Sequence, residues 1–137
     1  MMMAMVGASL CAGYAAAQAL AFEVRLTPAP VDARSQASVI GEGLANVTLS
    51  GRRLVIEGTF TGLKLPASTA HLHLAPAIGV RGPAIHDLEV TKATKGMVAA
   101  SIELSAQHAE AFEAGRLYIQ IDGDETPEGN LWGWLIP

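Results

Sequence analysis

The residues of this chain best suited to chemistry are two histidines in the run His71-Leu72-His73. Neutral imidazole nitrogen is a good donor to copper or zinc. On a strand, residues i and i+2 share a face, so Leu72 and Leu74 turn one way and both imidazoles the other. Two donors are too few for a tight site. The third is expected from Asp122, which shares a polar strand face with Tyr118 and Gln120, opposite Leu117, Ile119 and Ile121. His71, His73 and Asp122 are therefore the candidate metal ligands. The competing reading is a hydrogen-bonded histidine pair that braces the turn at residues 79–83.

A second surface is suggested by Trp132 and Trp134, which alternate with Leu131, Gly133 and Leu135 and so present both indoles on one face. An exposed pair would bind a small ligand or a partner protein; a packed pair would cover a sheet edge or the underside of a helix. Tyr118, Gln120, Trp132 and Trp134 are the candidate ligand or partner surface. Residues 122–128 are rich in carboxylates, but they lack the spacing of a calcium loop and read as a solvated turn. Nucleophilic catalysis finds no Gly-x-Ser-x-Gly elbow and no zincin motif. Asp87 and Glu89 share a strand face with nothing to mark them as an acid and base. His86 and His108 stand alone and read as surface or structural residues.

Alternating sequence supplies the elements that must position these side chains. Period-two patterns predict strands over 22–26, 38–49, 54–60, 70–74, 85–90, 97–104, 116–122 and 131–136. Thr27-Pro28-Ala29-Pro30 is expected to break the first, because proline cannot donate to a ladder. Ser50-Gly51-Arg52 and Lys95-Gly96 read as hairpin turns, and residues 123–130 as an acidic turn. Ser105 is a natural N-cap for a short helix over 106–114, with Gly115 ending it. Short strands at regular spacing with one helix near 105–114 predict an all-β fold, an antiparallel Greek-key-like sandwich.

Of 137 residues, half are apolar and 16% charged, which supports a real core and argues against disorder. The net charge is −4 and Lys and Arg are thinly spread, so neither nucleic acid nor an acidic membrane surface is an expected partner. No charge occurs in residues 1–21. Ala17-Gln18-Ala19 offers the small-x-small pattern of signal-peptidase cleavage, which predicts a signal peptide over 1–19 and a domain over 20–137. No basic residue precedes the apolar run, a departure from the usual signal pattern. The run is short and interrupted by Gly7, Gly13 and Gln18, so no permanent membrane span is expected after cleavage. Cys11 would leave with the signal, and the mature chain would hold no thiol and no disulfide.

Three ordered segments resemble the CHRD (chordin-type) domain family. They are Gly41-Glu42-Gly43-Leu44-Ala45 leading to Phe60-Thr61-Gly62-Leu63; Ala70-His71-Leu72-His73-Leu74 followed by Gly79-Val80-Arg81-Gly82-Pro83-Ala84-Ile85; and Gly115 to Asp122 followed by Thr126 to Leu135. The likeness covers nearly all of residues 22–136. It implies an extracellular or exported module with no established catalytic activity. Two positions depart from the family pattern: a histidine is replaced by Asp122 and an arginine by Trp132. A more distant similarity to the copper/zinc superoxide dismutase sandwich rests on His71-Leu72-His73 and on His86-Asp87-Leu88 before Gly96. The His-rich loop of that family is missing here, with about a dozen histidine-free residues in its place, so dismutase activity is not expected.

The sequence thus predicts a secreted or periplasmic, non-catalytic binding or structural module whose partner is an unidentified protein or small ligand. The alternative is a copper- or zinc-binding protein using His71, His73 and Asp122.

Overall fold

A computed structural model describes residues 19–30, 33 and 36–137. Most of the expected signal segment, residues 1–18, lies outside the described residues. The elements in order are β1 (Ala19–Pro28), β2 (Glu42–Ser50), β3 (Arg53–Thr61), β4 (Ala67–Leu74), β5 (Ala84–Val90), β6 (Gly96–Glu103), α1 (Ala106–Glu113), β7 (Leu117–Gly123) and β8 (Thr126–Trp134). All ladders are antiparallel.

The strands close in the order β1-β2-β3-β6-β5-β4-β7-β8. Two sheets are recognisable within that ring, and each corner is made by a strand that changes partner. β1 pairs with β2 from Ala19 to Leu26, then with β8 at Thr27 and Pro28. β5 pairs with β4 along most of its length and reaches β6 only at Glu89 and Val90. Strands β4, β5 and β6 run as a meander, and β7 returns through α1 to lie beside β4, which is a Greek key.

Alternation places the core as expected. Val24, Leu26, Ala45, Val47, Leu54, Ile56, Leu72, Val98, Ile119, Ile121 and Leu131 fill the space between the sheets. Helix α1 closes one end, with Ala111 and Phe112 buried and Phe112 tilted against Phe22 at 6.1 Å. Ser105 caps it by accepting from the His108 amide at 3.1 Å, and Gly115 follows with φ +73°.

Several boundaries differ from the sequence reading, β4 for one beginning at Ala67 rather than at residue 70. Pro28 stays within β1 rather than breaking it, because it falls where the strand leaves β2 for β8. Its neighbour Ala29 supplies the next ladder bond, to Asn130 O at 3.0 Å. β2 begins at Glu42 rather than at residue 38. The acidic turn shrinks to Asp124 and Glu125, since Thr126–Asn130 already belong to β8. There Gly123 N donates to Thr126 Oγ1 at 3.0 Å and tightens the hairpin. Among the described residues no helix is long and apolar enough to cross a membrane.

Candidate functional site

Strand β7 is buried on both faces, from Leu117 to Gly123. One face belongs to the core. The other points outward, where a two-sheet fold normally meets water, and here it carries Tyr118, Gln120 and Asp122. Cross-strand register sets their neighbours. His73, Tyr118 and Trp134 form one row, and His71, Gln120 and Trp132 the next. Thr69 lies opposite Asp122 at the end of the patch. Every candidate residue read from the sequence therefore falls on the outer face of β4, β7 and β8.

The rings pack as a second, smaller core. Tyr118 is fully buried; it stacks on His73 at 4.8 Å and 17° and touches Trp134 at 4.6 Å and Trp132 at 5.6 Å. The two indoles meet edge to face at 5.4 Å and stay half exposed.

A cover over this layer comes from residues 75–83, between β4 and β5. Gly82 N donates to the Tyr118 hydroxyl at 2.9 Å, and that hydroxyl donates back to Gly82 O at 3.2 Å. Gly82 O also lies 2.8 Å from His73 Nδ1. Only glycine fits at 82, since an added Cβ would fall on the Leu74 carbonyl and come within 2.8 Å of Ala75 Cα.

Arg81 spans the layer from the same segment. Its guanidinium donates to Gln120 Oε1 at 3.3 Å, to Pro30 O at 2.6 Å and to Glu128 O, and sits 5.8 Å from the Trp132 ring centre. Gln120 passes the polarity on. With Oε1 facing the guanidinium, Nε2 donates to Asp122 Oδ1 at 2.8 Å, and only this orientation of the amide satisfies both partners. Asp122 Oδ2 accepts from Thr69 Oγ1 at 3.3 Å and lies 3.4 Å from His71 Nδ1. The outer ring nitrogen of His71 lies 3.4 Å from Asp87 Oδ1, on an almost fully exposed side chain.

The candidate metal ligands are thus neighbours, with the His71 and His73 ring centres 6.0 Å apart. Among the described residues, however, no three His, Cys, Asp or Glu side chains form a group that could hold a metal ion. Asp122 is engaged by Gln120, Thr69 and His71, while His73 turns Nδ1 toward Gly82. Of the competing brace, only His73 reaches the turn, through Gly82 O, while His71 faces Asp122 and Asp87.

Sequence reasoning missed Arg81, Gly82 and Thr69 and gave Asp87 no role. Arg81 was legible only as part of a Gly-rich turn, because its partners at Pro30 and Glu128 are 51 and 47 residues away. His86 and His108 are not isolated: β5 and α1 bring them edge to face at 6.0 Å. A broad depression on the other sheet is lined by Glu23, Arg25, Leu44, Thr59 and Lys95. It holds none of the candidate residues, and these five side chains stand open to water.

Burial holds the His73 imidazole below its ordinary value of 6.5, against the opposing pull of the Gly82 carbonyl and Asp122. The folded protein therefore takes up this proton less readily than the unfolded chain. Its contribution to stability is whole above about pH 6.5 and is lost as the pH falls below that value. Unfolding by urea across pH 5 to 7 should show a smaller acid-side loss in His73→Gln than in the parent protein.

The CHRD domain profile matches residues 21–135. The chain belongs to the CHRD domain family. No curated protein and no solved structure shows significant similarity to it. Of the motifs that carry the family likeness, the His-Leu-His strand, the Gly-Val-Arg-Gly-Pro segment, the Leu-Tyr-Ile-Gln-Ile-Asp strand and the Leu-Trp-Gly-Trp strand all meet on this one face.

Proposed function

We propose that this CHRD protein is an exported, non-catalytic binding module that engages a partner protein or a small ligand through the outer face of β4, β7 and β8. The observation that carries the reading is the pair of half-exposed indoles, Trp132 and Trp134, standing over a fully buried Tyr118 outside the main core. Such rings offer a large apolar area with a polar edge and lose little rotamer freedom on contact, which suits them to binding surfaces. The hydrogen bonds beside them, from Arg81 through Gln120 to Asp122, hold the surface in one shape before any partner arrives. The Thr69 hydroxyl donates to Asp122 rather than to an imidazole, which favours a positioning network over a nucleophile and its base.

Export is supported by the charge-free run of residues 1–19 and its Ala17-Gln18-Ala19 cleavage pattern. Cleavage before Leu20 would remove one residue of β1 and leave the ladder from Leu20 to Leu26 in place. N-terminal sequencing of protein recovered outside the cytoplasm should start at Leu20, and recovery only from the cytosol with residues 1–19 attached would contradict export.

The role of the indoles is tested by their cost to stability. If they serve a partner rather than the fold, Trp132→Ser and Trp134→Ser should each cost no more than about 1–2 kcal/mol in urea unfolding. A loss of about 3–5 kcal/mol for each, the cost of emptying a packed aromatic site, would make them structural and overturn the reading.

A further inference from the structure

Strand β6 pairs with β3 along its whole length, from Gly96 to Glu103, but with β5 only at Ala99↔Glu89 and Val98↔Val90. The corner between β1 and β8 also has just two ladder pairs, yet there the chains are packed shut. A Cβ added at Gly133 would come within 2.6 Å of Leu26 and 2.7 Å of Val24. Beyond Glu89, by contrast, the β5–β6 ladder ends and a groove of about 530 Å³ opens, lined by Glu57, Asp87, Glu89, Ala99 and Ser101.

Backbone direction shows what this groove offers. Thr91 N donates to Met97 O at 2.9 Å, and Met97 N donates to Thr91 Oγ1 at 3.0 Å. Met97 therefore turns its amide and carbonyl toward β5. Leu104 N donates to Arg52 O at 2.8 Å and so turns the other way, toward β3. The direction alternates along a strand, and the β3–β6 register runs without a bulge. Ser101 thus aims its N–H and C=O at β5, where the register would bring Asp87 opposite, but no ladder pair forms. Unpaired backbone groups on a strand are a template for another strand. Helix α1 stands at the far end of the seam, its His108 meeting His86 at 6.0 Å, so the opening is short.

Charge narrows the choice of partner. Glu57, Asp87 and Glu89 are all exposed, and among the described residues that line the groove none is Lys or Arg. Arg53 at the rim is already engaged, 3.4 Å from Glu103 and 3.5 Å from Ser101 Oγ. Asp87 faces one imidazole nitrogen of His71 at 3.4 Å and remains open to water on its other sides. Ala99 and Ser101 are small, which lets long side chains lie across them toward Glu57.

We propose that the open stretch of β6 at Ser101 takes on a short extended segment of a partner protein as an added strand, with Lys or Arg at alternate positions facing Glu57, Asp87 and Glu89. Main-chain hydrogen bonds supply the affinity, and the carboxylates set which segment is accepted. The groove contains none of Tyr118, Gln120, Trp132 or Trp134. It is therefore separate from the proposed contact of the indoles, and either can fail alone.

A ¹H–¹⁵N titration of the labelled protein with a blocked peptide of alternating Lys and Val tests this. The peptide should shift the amides of Asp87, Glu89 and Ser101. It should also slow hydrogen exchange at Ser101 N–H by about ten-fold, the effect of one added hydrogen bond. The Glu-Val counterpart should not bind. Nor should the Lys-Val peptide with every amide N-methylated, which keeps its charge and loses its donors. Glu57→Gln with Glu89→Gln, two exposed changes, should weaken binding by roughly ten-fold. No response at Ser101, equal binding of the Glu-Val or the N-methylated peptide, or shifts centred on Trp132 and Trp134 would each overturn the proposal. A dimer in sedimentation that protects Ser101 N–H without peptide would overturn it too, by making a second copy the occupant. Unchanged affinity in the double variant would overturn the role given to the carboxylates.

Discussion

Gly82→Ala is expected to cost about 3 kcal/mol, the upper range for forcing extra volume into a packed site. The methyl would collide with the Leu74 carbonyl, a backbone group with no rotamer to escape into. Leu74 cannot drift outward, because its amide donates to Pro83 O at 2.9 Å across the same turn. The segment over residues 75–83 must lift instead. Lifting breaks the two bonds between Gly82 and the Tyr118 hydroxyl and the contact with His73 Nδ1. It also withdraws Arg81 from Gln120, Pro30 and Glu128. Trp132 lies under Arg81 of this segment and packs against Trp134, the other tryptophan of the chain, so a red shift of tryptophan emission should accompany the loss in urea unfolding. Stability within 1 kcal/mol of the parent, with unchanged emission, would show that the segment does not hold the layer together.

Tyr118→Ala should be as damaging for a different reason. Tyr118 is the largest of the fully buried side chains and lies outside the main core, so its burial depends on His73, Trp132, Trp134 and the covering segment. Emptying such a position costs about 3–5 kcal/mol. Tyr118→Phe keeps the ring and removes only the hydroxyl, leaving the Gly82 amide without its partner, a loss of about 1–2 kcal/mol. Urea unfolding of the two variants separates ring packing from hydrogen bonding. Equal losses would mean that the hydroxyl, not the ring, holds the segment down. Negligible losses in both would mean that the layer contributes nothing to stability.

Much of this was legible in the sequence, because period two is a strong signal for a strand with unlike faces. The alternation in 116–122 separates Leu117, Ile119 and Ile121 from Tyr118, Gln120 and Asp122, and the fold keeps them apart. The same logic put His71 and His73 opposite Leu72 and placed both indoles together. Period two says only that a side chain leaves the core, however; it does not say what lies on top. His73 is therefore buried on an outward face, shielded by a segment that reads as a loop. Arg81 escaped notice for a related reason, since its partners are backbone carbonyls whose placement no side-chain pattern records. The pairing of His86 with His108 depends on how α1 closes the end of the sandwich, a packing outcome with no local signature. The length of β8 was misjudged because carboxylates at residues 124–128 look like a turn, although only two of those residues form it.

The central claim is that the outer face of β4, β7 and β8 is the surface that meets a partner. The most direct measurement is a ¹H–¹⁵N correlation spectrum of the labelled protein, recorded during titration with a neutral hexasaccharide and with a proline-rich peptide. These are two probes of the kind that aromatic surfaces recognise. The account predicts that at least one probe moves the two indole N–H signals, of Trp132 and Trp134, together with the amides of Gly82 and Gln120. Silence at those four positions with both probes, or shifts confined to Arg25, Leu44, Thr59 and Met97 on the opposite sheet, would contradict it.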